Sequence, residues 1–400
     1  MTLGFAIRMG QGLGLHIEYA LPAQPILDEV SRETCRRTWH SAYVLDRLLS
    51  LQLGRPSAIR DRDCNVQMPS RLGDEHFDIS QRVISYPPDN GPQTGDYFVA
   101  VIRFSNIVGH VLRDLYTQHT ADYSQDMFGR TASLDRELLD WRSGLPRALR
   151  FDRGHTLESS PLFKRQRNML AIKYHHLRAL IHRRYLCLPW LIRDDSKIAQ
   201  LLESSSQQVV QLESICVREA QETAHILHNV VDRKSLVEDF PWWQMVSCLI
   251  CASSILLVMR AFSPTVTTTE VEQSELLQED AATCLLVLDS LSTHSDAARA
   301  AGDMLRRLGS LQVQDSSLVT RHPTQHHDDE ATDQVSWNGL SSLDSTMTSR
   351  SPNDAYGSPS ANGTLDNPDL NSNDLIWDWQ DWPSELANTM AWSSKFLDCV

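Results

Sequence analysis

Basic residues are under-represented in this 400-residue chain, in which 37 Lys and Arg stand against 51 Asp and Glu, a formal net charge of −14. A chain of that charge repels the phosphate backbone of nucleic acids unless a local basic patch overrides the average. The composition therefore disfavours DNA binding by this chain on its own.

Cysteine is also scarce, with eight residues scattered between Cys35 and Cys399. Cysteines so few and so widely spaced do not form the framework of a disulfide-stabilised protein of this length, and they indicate a reducing compartment. The N-terminus lacks a basic segment followed by a continuous apolar stretch and a small-residue cleavage site. We therefore expect no secretory signal.

Catalytic and cofactor motifs are missing as well: the sequence has no glycine-rich phosphate loop, dinucleotide fingerprint, HExxH or GxSxG. The GQGLG at 10–14 follows no strand, and we interpret it as a turn between helices. The CxxC pair Cys248 and Cys251 lies in an apolar run without a second ligand pair at zinc-site spacing, which favours simple burial. We expect no catalytic residue, metal site or cofactor in this chain, and an all-helical enzyme is the least favoured class.

Acidic and basic residues are interleaved between residues 46 and 63. Asp46, Asp61 and Asp63 could form a carboxylate cluster, but arginines at 47, 55, 60 and 62 alternate with them. Ion pairing at the end of a helix explains this pattern without a catalytic or metal-binding role for the carboxylates. The adjacent histidine pairs at 175–176 and 326–327 likewise lack the spacing of a rigid metal site.

Long apolar runs are limited to Trp242–Met259, which approaches the length needed to span a bilayer. Gln244 and three serines dilute its apolarity, and its flanks lack the aromatic and basic anchors of a membrane span. We predict a buried core helix and no membrane association.

Most of the first 310 residues show helical periodicity, with apolar residues three and four positions apart. Gly54 and Pro56 should end the first of these helices, because glycine permits a left-handed cap and proline cannot continue the ladder. Neither long alternation with a period of two nor turn-bounded strand pairs are present, so the sequence predicts an all-α, irregular multi-helix domain. The predicted helices cover Trp39–Leu53, Phe98–Leu115, Leu134–Trp141, Leu170–Ile181, Val209–Val231, and two more within Leu276–Leu308 that break at 292–295.

The acidity is concentrated in residues 311–400, which hold 14 acidic and three basic residues, a net of −11, and leave −3 for residues 1–310. Residues 311–373 are rich in Ser, Thr, Asp, Asn, Gly and Pro, which predicts a disordered linker. Residues 374–400 then regain apolar content and contain four of the ten tryptophans. The chain thus divides into a helical body, a linker and an acidic, aromatic C-terminal segment.

The segment 36–69 strongly resembles the hallmark of the fungal-specific transcription factor domain, or middle homology region, of zinc-binuclear-cluster regulators. Elements at 12–18, 134–151, 174–186 and 216–227 are similar to further parts of that domain, so that the resemblance covers most of residues 1–310. The residues that match the hallmark are Arg37, Trp39, Tyr43, Asp46, Arg47, Ser50, Gly54, Arg55, Pro56 and Ile59, followed by the run 63–69.

The resemblance implies a transcription regulator of RNA polymerase II genes that acts in the nucleus, with the helical body as its regulatory domain. Family members carry six upstream cysteines that bind two zinc ions and place a helix in the DNA major groove. This chain contains no such segment, so we expect a domain truncated at its N-terminus, with zinc only in a full-length member. A homodimer is compatible with the family. The alternative is a corepressor-like, partner-binding paralogue without DNA contact.

The C-terminal segment supplies the candidate activation surface. Its apolar residues, kept exposed by Asp374, Asp378 and Asp381, form the pattern of an acidic activation segment that binds coactivators or mediator-type complexes. Docking of the same tryptophans onto the helical body is the open alternative. The candidate coactivator-binding residues are Leu375, Ile376, Trp377, Trp379 and Trp382.

Within the hallmark, we expect substitution of Gly54 or Arg55 to lower thermal stability, because the helix would lose its stop signal and its ion pairs.

Overall fold

Helices make up nearly all the regular structure of the computed structural model, which describes residues 2–18, 28–78, 80–88, 91–116, 125–153, 160–188, 196–228, 242–262, 268–293 and 295–319. The prediction of an all-α fold is confirmed. In chain order the helices are α1 (Thr2–Gly12), α2 (Glu29–Leu53), α3 (Asp96–Val111), α4 (Gln125–Ser143), α5 (Pro161–His182), α6 (Ser196–His228), α7 (Trp242–Phe262), α8 (Thr268–Ser292) and α9 (Asp296–Val319).

Each helix predicted from periodicity has a counterpart among these elements. Single 3-10 turns lie at Asp61–Asp63, Asp74–His76, Arg147–Leu149 and Arg183–Tyr185, and a π-helical turn, Leu112–Tyr116, continues α3. The predicted break at 292–295 separates α8 from α9. Helix α9 continues to Val319, so the start of the predicted linker is helical for nine residues past the boundary that composition suggested.

Helix α2 begins and ends where local signals place it. Asp28 caps its N-terminus by accepting a hydrogen bond from the Ser31 backbone N–H at 2.9 Å. Gly54 adopts φ 61° and ψ 30°, and its N–H donates to the Ser50 carbonyl. The left-handed conformation costs glycine little because it has no Cβ, and the predicted stop at Gly54 is confirmed.

One β-hairpin contradicts the expectation that turn-bounded strand pairs are missing. Strands β1 (Phe77–Asp78) and β2 (Val83–Ile84) pair antiparallel, with Phe77 opposite Ile84. The Asp78 carboxylate accepts hydrogen bonds from the backbone N–H groups of Ser80 and Gln81, both at 2.9 Å, and so supports the turn. Two-residue strands are too short to produce a visible alternation, which is why the sequence pattern missed them.

Neighbouring helices pack in a sequence-ordered chain of contacts. Helix α1 packs on α2, α2 on α3, α3 on α4 and α4 on α5, while α5 to α8 form a second group in which α6 contacts α5, α7 and α8. One continuous apolar core extends from Val44 in α2 to Leu305 in α9. Helix α3 lies at the centre of the first group, and 12 of its 16 residues are buried.

A partly buried arginine joins α4, α5 and α6. Arg178 donates two hydrogen bonds to Asp135, at 2.7 and 3.1 Å, and one to Glu219 at 2.7 Å. His175 Nδ1 lies 2.6 Å from the other Glu219 oxygen. Burial alone would raise the pKa of Asp135, but the His182 ring, whose Nε2 lies 3.3 Å from Asp135 Oδ1, and the hydrogen bonds from Arg178 outweigh it and hold that pKa well below its usual range. The Asp135 carboxylate is therefore ionised. His175, one of the adjacent histidines at 175–176, belongs to a structural network.

Helix α7 contains the run that is long and apolar enough to cross a membrane, Gln244–Phe262. In the structure it packs between α6 and α8, and Met245, Leu249 and Leu256 are fully buried in the core. The prediction of a core helix agrees with this packing. Burial raises the pKa of the Cys248 thiol to about 12 and that of Cys251 to about 11, so both are inert thiols at neutral pH.

Lys173 brings an ionisable amine into the same core. It is nearly inaccessible, and its Nζ donates to Gln244 Oε1 at 3.0 Å. Desolvation lowers its pKa from 10.5 to about 8. Because the folded-state pKa is the lower one, the unfolded chain binds more protons between pH 8 and 10.5, and this group makes stability rise with pH across that window.

We predict that Lys173→Met increases the free energy of unfolding at pH 7 by roughly 2 kcal/mol, because a charged amine no longer has to be desolvated. The advantage over the wild type should shrink as pH rises from 8 to 10. Urea denaturation at pH 7, 8 and 10 measures the free energy of unfolding of each variant. Lys164→Met is the control, because Lys164 is an exposed lysine of the same helix. An advantage that does not change with pH would contradict the prediction.

Candidate functional site

Arg47 is the centre of a polar network on helix α2 and is only 2% exposed. Its Nη1 donates to Asp46 Oδ2 at 2.8 Å, and its Nη2 donates to Asp61 Oδ1 at 2.7 Å. The guanidinium lies over the Tyr43 ring at 4.4 Å, and the Tyr43 hydroxyl donates to the same Asp61 oxygen at 2.8 Å. Three residues of the hallmark segment, Tyr43, Asp46 and Arg47, therefore act as one unit.

Asp46 connects this network to the loop that follows the helix. Its two carboxylate oxygens accept hydrogen bonds from the backbone N–H groups of Ala58 and Ile59, at 2.9 and 3.0 Å. Ile59 is thereby buried in a small apolar cluster with Ile7 and Trp39. The carboxylate fixes the direction of the chain immediately after the turn that ends α2.

The predicted ion pairs are present for all three aspartates of this region. Asp46 and Asp61 pair with Arg47, and Asp63 lies 3.7 Å from Arg62 on the surface. Arg55 differs from the expectation, because its side chain is exposed and no described residue forms an ion pair with it. The expected ion-pair contribution of Arg55 is therefore wrong, since its side chain points to solvent beyond the helix end.

Arg37 holds the later part of the same loop. It donates to Glu33 Oε1 at 2.9 Å, to Asp74 Oδ1 at 2.5 Å and to the Leu72 carbonyl at 2.6 Å. Its guanidinium also lies over the Phe77 ring at 4.3 Å. Arg37 and Arg47 thus fasten both halves of the loop to one helix.

A cleft of about 550 Å³ lies between α2, this loop, α3 and α4. Its floor is apolar and largely aromatic, and these floor residues belong to the buried cores of the protein. The residues that line it are Trp39, His40, Tyr43, Asp61, Cys64, Val66, Met68, Ile102, Arg103, Asn106, Ile107, His110, Glu137 and Trp141.

Helix α3 contributes the polar wall of the cleft. Arg103 and Asn106 are the two exposed residues of this otherwise buried helix. Neither forms a hydrogen bond or ion pair with any residue that the structure describes. One turn further, His110 Nδ1 lies 3.0 Å from both carboxylate oxygens of Glu137.

His40 provides a buried acceptor in the cleft lining. Its Nε2 lies 3.0 Å from the Gln67 carbonyl, which can only accept, so Nε2 carries the proton. Burial lowers the pKa of His40, which keeps the ring neutral at pH 7. Its Nδ1 is therefore an acceptor, and no described group donates to it.

The structure brings only part of the predicted site residues together. Trp39 and Tyr43 line the cleft, Asp46 and Arg47 lie beneath it, and the Gly54–Pro56 turn is at the far end of the helix. The candidate coactivator-binding residues at 375–382 lie outside the described residues. Sequence reasoning missed Arg103, Asn106 and His110, although polar residues at this spacing interrupt an otherwise apolar helix.

In the part of the chain that the structure describes, no group of three or more His, Cys, Asp or Glu side chains could hold a metal ion.

Residues 1–149, which span α1 to α4 and the cleft, match the family model described as fungal specific transcription factor domain. Over these residues the chain is similar to a fungal specific transcription factor domain. The resemblance drawn from residues 36–69 is therefore confirmed, and the Arg47 network gives the hallmark residues a structural role within this domain.

Curated relatives carry names that agree with this domain. Transcription factor FBD3 of Fusarium pseudograminearum is 30% identical over 240 residues, which are 57% of this chain and 30% of that protein. The ABC-transporter-regulating transcription factor of Aspergillus fumigatus is 30% identical over 156 residues, or 39% of this chain and 16% of that protein. The transcriptional activator protein acu-15 of Neurospora crassa is 27% identical over 214 residues, or 52% and 22%.

The chain thus spans less than a third of the length of each of these relatives. No solved structure matches it.

We predict that Arg47→Met lowers the free energy of unfolding by about 3 kcal/mol, because the buried Asp46 carboxylate would lose its cation. Urea denaturation measures the loss. Arg62→Met is the matched control, since its pair with Asp63 is exposed and should contribute almost nothing. Equal stabilities of the two variants would contradict the role given to Arg47.

Gly109 in α3 provides a second test of the role of Arg47, because the two residues lie against each other. A Cβ at this position would lie 2.8 Å from Arg47 Nε, so Gly109→Ala should destabilise the protein by about 1–2 kcal/mol. Gly129→Ala in α4 is the control, because its Cβ would meet no atom within 4 Å and alanine favours the helix by up to about 1 kcal/mol. Opposite shifts in melting temperature are expected, and stabilisation by both substitutions would contradict the contact.

Proposed function

We propose that this chain is the regulatory part of a nuclear transcription regulator of RNA polymerase II genes. The observation that carries the proposal is the fungal specific transcription factor domain over residues 1–149, and the relatives named as transcription factors support it. Contact with DNA is assigned to a zinc-cluster module that these 400 residues do not contain, because their net charge of −14 opposes binding to phosphate.

The helical body acts in this proposal as a module that receives a signal and restrains the output. The output comes from residues 374–400, where tryptophans separated by acidic residues are available to a coactivator or mediator-type complex. Binding would order the segment and place its apolar side chains in a groove, with modest affinity and fast exchange.

A corepressor-like paralogue that binds partners without DNA is the second candidate. The observation that favours it is the charge of the chain, whose body is near neutral and whose C-terminal part is strongly acidic. Such a protein would use the same domain and segment to sequester partners of other regulators.

A tethered reporter assay tests the proposal. Residues 311–400 and the full chain are each fused to an unrelated DNA-binding domain, with Trp377, Trp379 and Trp382 replaced by alanine in a parallel set. We expect strong activation by the fragment, weaker activation by the full chain, and loss of most activity in the triple variant, because the aromatic anchors are removed. Trp337→Ala, in the linker, is the control and should leave activation unchanged.

Silence of both fusions would overturn the activation proposal and favour the partner-binding paralogue. Activation that survives the triple substitution would show that other residues contact the transcription machinery.

A further inference from the structure

We draw no further inference here: the strongest candidate, the exposed apolar stripe of Phe5, Met9 and Leu13 along the outer face of helix α1, carries no proposal because nothing in the structure shows what covers it.

Discussion

The buried guanidinium of Arg47 is the interaction on which the N-terminal half of the structure depends. It joins α2 to the loop through Asp46 and Asp61, and it lies so close to α3 that a Cβ at position 109 would come within 2.8 Å of its Nε. A buried charge is tolerated only when its partners are in place, so the helix, the loop and the neighbouring helix must adopt one arrangement together. Because Asp61 and Tyr43 also line the cleft, the shape of the cleft follows from the same network.

The second half of the structure uses the same device with different residues. Arg178 joins α4, α5 and α6 through Asp135 and Glu219, as Arg47 joins α2, its loop and α3. An apolar core rewards burial but does not by itself select which helices are neighbours or in which register. Two arginines with fixed carboxylate partners define which helices are neighbours, a choice that apolar contacts alone leave undetermined.

Local signals were predictable from the sequence, and contacts between distant residues were not. The end of α2 at Gly54 and the break between α8 and α9 depend on single residues and short spacings. The cleft depends on a loop that folds back onto α3, and therefore on contacts such as Arg47 with Gly109 that no periodicity encodes. Arg103 is visible as a charge in an apolar run, but its exposure becomes apparent only when the structure shows that nearly every other residue of α3 is buried. Arg55 shows the converse, since a residue within a strong motif makes no ion pair with the described residues.

The continuous core from α2 to α9 bears on how this chain folds. The family model ends at residue 149, but the apolar contacts of α3 and α4 continue into α5 and beyond. A fragment cut at that boundary would expose the side of α4 that packs on α5, and exposed apolar surface of this kind promotes aggregation. The apolar core is thus larger than the segment that the family model matches, and it extends to the last helices of the body.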